Sequence, residues 1–303
     1  MTGSSRTVVD GAGSLQDRPF SALLADAAVQ ASIGRVGYAV VGPVLGATET
    51  AELTRVYERL RPVIDSRSEE RWFTSGAMTS PENRRDLYES VGRVLRPVIA
   101  GLAAPGTDIL AGNFHVNPAG SVEGLGPHQD IALVDELRCS TVNGWIPLTD
   151  VSVDDGPLHV VPGSHRFGNS DRSLAVPWAY EGLHELFWEY AVPLEVPAGH
   201  LVLFDTAMIH CSTANPGPMD RIAVNCLILP SDRELRHLVA AEDGSDRVDV
   251  FLISPDFLIE GDVWSRPGAG VATLLGTRPV RRPPTSAAEV RDQCRAGRAL
   301  AGE

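Results

Sequence analysis

The sequence predicts a mainly β fold, a β-sandwich or barrel that follows a helical region. Between residues 108 and 230 the chain consists of short segments rich in Val, Ile and Leu, each bounded by Gly, Pro, Asn or Asp, as is typical of strands. These strands follow one another through turns and not through the helices of βαβ units, which favours a sandwich or barrel. In residues 19–107 the apolar residues instead recur at helical spacing.

The helical region begins with residues 21–37, which read as a helix ended by Gly37, and continues with a short apolar strand in YAVVGPVL. A second helix is predicted to begin at Thr48, because polar residues of this kind suit a helix N-terminus. The segment SPENRRDLYESVGRVLRPVIAGLA predicts a third helix. The first third of the chain is therefore expected to be mostly helical.

Five segments carry the strand pattern of the β region. They lie at residues 108–120, 138–151, 156–163, 191–210 and 221–230. Residues 174–190 interrupt them as a partly helical insertion, and we interpret its aromatic cluster as additional core in preference to a lid.

No internal repeat and no clear linker divide the chain, so a single domain is expected. We predict a disordered N-terminus at residues 1–18 and one domain at residues 19–280. Within that domain the helical part covers about 19–107, the barrel core about 108–230, and a C-terminal decoration with a weaker pattern about 231–280. Residues 281–303 are expected to be a Pro/Arg-rich tail with little core of its own.

The composition is that of a globular protein whose charge disfavours some partners. The formal net charge is −13, which repels nucleic acid and anionic membrane surfaces. No apolar run is long enough to cross a bilayer, and the first residues lack the apolar stretch of a signal peptide. We therefore expect a cytoplasmic protein with a small-molecule partner. The four cysteines form no C-x-x-C pair, which indicates buried free thiols and no zinc knuckle.

The stretch LGPHQDIALVDE places His128 and Asp130 two residues apart in a loop. Non-haem iron(II) oxygenases bind their metal through two imidazoles and one carboxylate on one face, so this pair would be two of three ligands. The pattern alone is weak: with 8 histidines and 39 acidic residues, about one such pair arises by chance. The alternative is a solvated turn.

A second stretch, FDTAMIHCSTANPGPMDRIAVN, carries a histidine at the end of an apolar strand and an arginine at the start of the next. These are His210 and Arg221. An arginine fork suits bidentate capture of a carboxylate, and a hairpin would return Arg221 to the neighbourhood of His210. The alternatives are a capped strand end for His210 and a surface ion pair of Arg221 with Asp205 or Asp220.

Three motifs occur in order: HQD at 128–130, WIPLTDVSVDDGPLHVVPGSH at 145–165, and HCSTAN followed by Arg221. With them, residues of about 28–230 resemble the phytanoyl-CoA dioxygenase family of iron(II)/2-oxoglutarate-dependent oxygenases. The resemblance implies a double-stranded β-helix core (jelly-roll or cupin-like) with flanking N-terminal α-helices. It also implies Fe(II) as cofactor, with 2-oxoglutarate and O2 as cosubstrates.

The resemblance assigns roles to eight residues. It implies that His128, Asp130 and His210 bind iron, that Arg221 and Ser212 hold the distal carboxylate of 2-oxoglutarate, that Trp145 and Asn117 line the cosubstrate pocket, and that Asn113 contacts the substrate. For Trp145 the alternative is plain core packing. For Asn117 it is a turn residue before Pro118.

The activity implied by the resemblance is hydroxylation of an unactivated C–H of a small molecule in biosynthetic tailoring. Halogenating relatives carry a small residue in place of the carboxylate ligand, so the presence of Asp130 favours hydroxylation. Desaturation, cyclisation and epimerisation at the same site stay open. Two further alternatives are a non-oxygenase cupin-type metalloenzyme, which would not need Arg221 and Ser212, and an inactive binding protein. The substrate and the oligomeric state stay open.

Overall fold

The structure, a computed structural model, describes residues 22–64, 73–78, 80–168, 170–283 and 286–302. The predicted disordered segment 1–18 lies outside the described residues. The α-helices are α1 (Ala27–Val36), α2 (Ala47–Ile64), α3 (Ser75–Met78), α4 (Pro81–Ala100), α5 (His184–Tyr190), α6 (Phe257–Glu260) and α7 (Ala287–Ala301). A single 3-10 turn is described at Ser164–Arg166.

The strands form three antiparallel sheets in the described part of the chain. They are β1 (Tyr38–Val41), β2 (Phe73–Thr74), β3 (Thr107–Asn117), β4 (Leu125–His128), β5 (Val142–Pro147), β6 (Leu158–Val160), β7 (Val192–Pro193), β8 (Leu201–Asp205), β9 (His210–Ser212), β10 (Arg221–Pro230), β11 (Leu235–Ala240), β12 (Arg247–Ile253) and β13 (Thr273–Pro279). A six-stranded sheet has the order β1-β8-β5-β10-β3-β2, a four-stranded sheet the order β4-β9-β6-β7, and a three-stranded sheet the order β11-β12-β13.

The six- and four-stranded sheets enclose the barrel core. Their shared interior holds Trp145, Val202 and Ala223 from the larger sheet and Leu158 and Val160 from the smaller one. Two sheets that bury alternate residues against each other are the layered arrangement of a jelly roll. The double-stranded β-helix prediction is confirmed.

The outer face of the six-stranded sheet packs on the N-terminal helices. Because side chains alternate across a strand, Phe114 and Val116 of β3 point outwards and join Leu87 and Leu95 of α4 in one buried cluster. Ser80 caps α4 by accepting a hydrogen bond from the backbone N–H of Asn83. The flanking helices are therefore part of the main core and fix the sheet from one side.

Helix α1 ends where the sequence predicts. Gly37 has a φ of 96°, and its backbone N–H bonds to the carbonyl of Ile33, as is common where a helix ends in a left-handed residue. A Cβ at this position would lie 2.7 Å from Nδ1 of His165. Glycine is thus required both by the backbone conformation and by the close approach of the 3-10 turn.

Residues 231–280, the expected decoration, contain more regular structure than their weak sequence pattern predicts. They form the three-stranded sheet of β11, β12 and β13, which covers a cluster containing Leu235, Phe251 and Phe257. Strand β13 is exposed along almost its whole length, so it has no apolar alternation from which a strand can be recognised.

The expected tail also differs in the structure, because residues 287–301 form α7. A capping box between Ser286 and Glu289 starts this helix. Its buried face presents Val290 and Cys294 to Phe187 and other aromatic residues of the insertion. The prediction that this aromatic cluster is core is confirmed, and so is that of four buried free cysteines. Within the described residues, no helix combines the length and apolar character needed to span a bilayer.

Candidate active site

Antiparallel pairing of β4 with β9 places His128 directly opposite His210. Their ring centroids lie 4.2 Å apart, and Nε2 of His210 lies 3.8 Å from Oδ2 of Asp130. The three residues each offer a ligand atom within 4.8 Å of the others. Two imidazoles and one carboxylate converge on a point where a metal ion would fit.

Both imidazoles are oriented by backbone carbonyls. Nδ1 of His128 lies 2.9 Å from the carbonyl oxygen of Gly126, and Nδ1 of His210 lies 3.0 Å from that of Met208. Since a carbonyl only accepts, each Nδ1 carries the hydrogen and each Nε2 keeps its lone pair. Burial, followed by the neighbouring His210, lowers the pKa of His128 to about 4. A neutral imidazole is the form that binds a metal.

The loop that carries Asp130 is held by residues distant in sequence. Asn143 donates to Oδ2 of Asp130, and Nε of Arg172 donates to its backbone carbonyl at 2.9 Å. Arg172 in turn forms a bidentate ion pair with Glu136, one arm of which measures 2.7 Å. The two side chains are only 2% and 4% exposed. The carboxylate ligand is therefore anchored at both its side chain and its main chain.

Arg221 is buried inside the barrel without a counter-ion. It is 3% exposed, its Nη2 donates to Oγ of Ser212 at 3.0 Å, and its Cζ lies 5.5 Å from the ring centroid of Trp145. No ion pair joins it to a carboxylate among the described residues, and Asp220 pairs with Arg61 instead. Burial lowers the pKa of Arg221 to about 9, as expected for a desolvated cation.

A family model for phytanoyl-CoA dioxygenase (PhyH) matches residues 33–223. That span contains the three converging ligands and the buried arginine. The chain belongs to the phytanoyl-CoA dioxygenase family. The resemblance stated from the sequence motifs is thereby confirmed.

Curated relatives agree with this membership in the phytanoyl-CoA dioxygenase family, and a solved structure shares the fold. The chain is similar to L-proline trans-4-hydroxylase of Streptomyces griseoviridis, with 30% identity over 185 residues, 51% of this chain and 67% of the relative. It is also similar to phytanoyl-CoA dioxygenase 1 of Oryza sativa subsp. japonica, with 30% identity over 35% of this chain and 39% of the relative. The chain is also similar to the crystal structure of EctD from S. alaskensis with 2-oxoglutarate and 5-hydroxyectoine. The match covers 72% of this chain and 80% of the EctD chain, with a TM-score of 0.50 and 20% identity. This last likeness concerns the fold.

The residues present fit the cofactor and cosubstrate of this phytanoyl-CoA dioxygenase family member. Two histidines and one aspartate with an open side are the donor set of non-haem iron(II) oxygenases. A buried arginine without a counter-ion is suited to the free carboxylate of a dicarboxylic acid. The chain is a non-haem iron- and 2-oxoglutarate-dependent oxygenase.

Asn117 lies behind this pocket and supports it. It is completely buried; its Nδ2 donates to the carbonyl of Thr213 at 2.8 Å, and its Oδ1 accepts from Ser121 at 2.8 Å. Nδ2 also lies 3.4 Å from Oγ of Ser212. Asn117 is thus more than a turn residue: it fixes the strand end that carries Ser212. Trp145 packs in the barrel core, and the guanidinium of Arg221 lies over its ring.

Asn113 and His115 of β3 face the barrel interior and are half-buried. The backbone N–H of Asn113 bonds to Oδ1 of Asn225 at 2.6 Å. Burial lowers the pKa of His115 to about 3, while the charge of Asp130 opposes that shift. His115 therefore lies near the ligands as a neutral ring.

Sequence reasoning missed several supporting residues of this phytanoyl-CoA dioxygenase family member. They are Glu136, Asn143, Arg172, Trp178 and Asn225. Trp178, in the insertion, donates to Oε1 of Gln129 at 3.2 Å, so the insertion reaches the HQD loop. None of these residues belongs to a spaced motif, and only the folded chain brings them together.

Proposed function

We propose that this oxygenase hydroxylates an unactivated aliphatic C–H of a small molecule, in a biosynthetic tailoring step. The observation that carries the proposal is Arg221, a buried cation without a counter-ion beside Ser212 and inside the same barrel as the three ligands. Leaving such a charge unpaired is costly, whereas a bound dicarboxylic acid compensates it. The family's L-proline 4-hydroxylase relative supports both a small substrate and hydroxylation.

In this proposal His128, Asp130 and His210 hold iron(II). When bound, iron with 2-oxoglutarate and O2 supplies C–H oxidation coupled to decarboxylation of 2-oxoglutarate to succinate. The carbonyls of Gly126 and Met208 keep the Nε2 lone pairs directed at the metal. Their role is to fix the histidine tautomers before the metal arrives.

Arg221 and Ser212 are proposed to bind the distal carboxylate of 2-oxoglutarate, and Trp145 covers the guanidinium. The hydroxyl of Ser212 already donates to the carbonyl of Gly156 at 3.0 Å and accepts from Arg221. Rotation of that hydroxyl towards a carboxylate offers a second donor beside the arginine fork. Burial of Arg221 excludes water from this end of the pocket and strengthens the ion pair.

Asp130 bears on the outcome of the reaction. A carboxylate at this position leaves no room for a halide among the protein ligands, which favours transfer of oxygen to the substrate. Desaturation, cyclisation and epimerisation begin with the same C–H and stay as alternatives. The buried Arg221–Ser212 pair favours the oxygenase over a cupin-type metalloenzyme of another kind, which has no need of a buried arginine, and over an inactive binding protein.

The test is anaerobic titration of the apoprotein with iron(II) and then with 2-oxoglutarate, followed by visible absorption of the chelated complex. We expect a weak charge-transfer band in the wild type and a weaker one in Asp130→Ala. For Arg221→Ala we expect the dissociation constant of 2-oxoglutarate to rise by about two orders of magnitude, because a buried charged hydrogen-bonded pair is lost. Arg295→Ala, which removes an exposed arginine on α7, is the control and should match the wild type.

The outcomes separate the alternatives. A band that weakens in Asp130→Ala and Arg221→Ala but not in Arg295→Ala supports the proposal. Iron binding without any 2-oxoglutarate band in the wild type contradicts it. If the band survives unchanged in Arg221→Ala, the cosubstrate carboxylate lies elsewhere and the assignment of Arg221 is wrong.

A further inference from the structure

Side chains in the middle of the six-stranded sheet reach solvent from inside the barrel. Asn143 of β5, Leu227 of β10 and Asn113 of β3 lie on central strands, face inwards, and are half-buried. At the other end of the same strands, the inward-facing Trp145 and Ala223 are 3% and 0% exposed. At Asn143 and Leu227 the strands have paired neighbours on both sides, so the exposure of these two side chains requires an opening in the barrel interior. The opening lies on the side of Asn143, which contacts Asp130.

A β-bulge shapes the wall of this opening. The register of β3 with β10 shifts between Val224 and Cys226, so that Gly112 and Asn113 together face Asn225. Oδ1 of Asn225 accepts the N–H of Asn113 at 2.6 Å. A Cβ on Gly112 would lie 1.9 Å from that oxygen. Bulges beside active sites commonly redirect a side chain, and here Gly112 gives Asn225 the space to reach across.

The amides of this wall are only partly satisfied. Oδ1 of Asn225 is occupied, and its Nδ2 has no hydrogen-bond partner among the described residues. Asn143 uses Nδ2 to donate to Asp130, which leaves its Oδ1 as an acceptor, again among the described residues. Asn113 is taken up by Thr74, from which it accepts, and by a hydrogen bond with Tyr88. We call Asn113, Asn143 and Asn225 the amide wall; it offers donors and an acceptor beside the metal ligands.

The sheet surface beside these amides is aliphatic, because Leu227 pairs with Asn143 on one side and with Leu110 on the other. Leu110, Ile131 and Leu227 are half-buried and pack against the cluster beneath the three-stranded sheet. We call these three residues the aliphatic wall. In the described part of the chain, Asp130 is the one charged side chain that hydrogen-bonds to the amide wall. In the proposed function the metal takes up the charge of Asp130, so a charged substrate group would be desolvated here without a free counter-ion, at a high cost in free energy.

We infer that the substrate is an uncharged, amphipathic small molecule, which presents a hydroxyl or amide-type polar group to Asn225 and Asn143. Its hydrocarbon part lies against the aliphatic wall. This inference rests on the proposed function, because it places the substrate beside the metal ligands. Buried amides that pair with a substrate group disfavour analogues that lack it, because binding such an analogue would leave the amides unpaired. The amide wall is thus a determinant of specificity.

The test uses three matched probes on protein loaded with Zn(II) and saturating 2-oxoglutarate, followed by ligand-observed NMR. The probes are cyclohexanecarboxamide, its isosteric anion cyclohexanecarboxylate, and the cation cyclohexylmethylammonium. We expect the carboxamide to bind at least about tenfold more tightly than either charged probe. With iron(II) in place of Zn(II), the carboxamide should also shift the charge-transfer band of the 2-oxoglutarate complex.

Asn225→Asp is the decisive variant. Its Oδ1 still accepts the N–H of Asn113, so the bulge is preserved, but the free donor becomes an anion. We expect the carboxamide to lose affinity by about tenfold and the ammonium probe to gain it. Asn83→Asp, in the first turn of α4, adds the same charge outside the barrel and should change neither affinity.

The inference is overturned if a charged probe binds the wild type as tightly as the carboxamide, or if none of the probes binds up to its solubility limit. It is also overturned if Asn225→Asp leaves the ranking unchanged. Failure of the proposed function is distinguishable, because in that case the wild type forms no charge-transfer band with iron(II) and 2-oxoglutarate before any probe is added.

Discussion

The buried ion pair of Arg172 with Glu136 is expected to govern iron affinity through the loop of Asp130. Arg172 holds that loop twice: Nε donates to the carbonyl of Asp130 at 2.9 Å, and its own carbonyl accepts the N–H of Ala132 at 2.9 Å. Thr206 lies 3.3 Å from the carboxylate of Glu136 and completes the network. Removing the guanidinium leaves the carbonyl of Asp130 without its donor, while the backbone bond between Ala132 and residue 172 remains.

Two variants separate stability from metal binding. Arg172→Met alone leaves the carboxylate of Glu136 buried without its guanidinium, which costs about 3–5 kcal/mol and lowers the melting temperature by roughly 5–15 °C. The double variant Glu136→Leu/Arg172→Met removes both charges. Replacing a buried ion pair by apolar residues often changes the free energy of unfolding by less than about 2 kcal/mol. The double variant should therefore fold, yet it still lacks the hydrogen bond to Asp130.

We expect the double variant to bind iron(II) about 10–100-fold more weakly than the wild type. This is the usual effect of losing a residue that hydrogen-bonds to a metal ligand. The assay is anaerobic iron(II) titration with saturating 2-oxoglutarate, combined with thermal unfolding. Arg278→Met is the control, because Arg278 forms a bidentate pair with Asp171 at 2.6 Å and does not contact Asp130. A folded double variant with wild-type iron affinity would refute the reasoning.

Three further predictions concern the bulge, helix α7 and acid stability. Gly112→Ala places a Cβ 1.9 Å from Oδ1 of Asn225, so we expect a loss of about 2 kcal/mol or more in thermal unfolding. Gly297→Ala places a Cβ 1.9 Å from the carbonyl of Pro162 and should detach α7, seen as faster limited proteolysis of the C-terminal segment. Burial lowers the pKa of His115 from 6.5 to about 3, so between these values the unfolded chain binds more protons than the folded one. The free energy of unfolding that neutral His115 contributes is therefore complete above pH 6.5 and declines as the pH falls towards 3. We expect His115→Asn to flatten the pH dependence of unfolding of the apoprotein.

The controls for these predictions come from the same chain. Gly34 lies inside α1 with nothing within 4 Å of an added Cβ, so Gly34→Ala should be neutral or slightly stabilising. Equal stability of Gly112→Ala and Gly34→Ala would contradict the tight packing of the bulge. A proteolysis rate unchanged by Gly297→Ala would contradict the predicted detachment of α7. A pH dependence of unfolding unchanged by His115→Asn would contradict the predicted effect of His115 on acid stability.

The sequence predicted the parts of the fold that have a strong apolar periodicity and the parts of the site that lie in short motifs. The helical period predicted the N-terminal helices, and HQD with His210 and Arg221 predicted a site that the structure brings together. Helix α7 was missed because its buried face is formed by small residues, Val290, Cys294 and Gly297, which give a weak apolar signal. Arg172 was missed because its contact with Asp130 spans 42 residues.

Strand register explains why one half of the site was predictable and the other was not. From Arg221 opposite Asn117 to Val224 opposite Phe114, the pairing of β10 with β3 is regular. Alternation alone then directs Arg221 inwards, towards the end of β9 that carries Ser212. Beyond Val224 the bulge adds one residue to β3, and alternation no longer tells which side chains face the barrel.

The residues proposed to contact the substrate begin where that regular register ends. Asn225 follows Val224 directly, and its position depends on Gly112, whose role no local pattern reveals. A change of bulge would redirect Asn113 and Asn225 without moving Arg221, which lies on the regular side of the register shift, or His128 and His210, which lie in the four-stranded sheet. The cosubstrate half of the barrel is thus fixed by strand pairing, whereas the substrate half can vary through a single inserted residue.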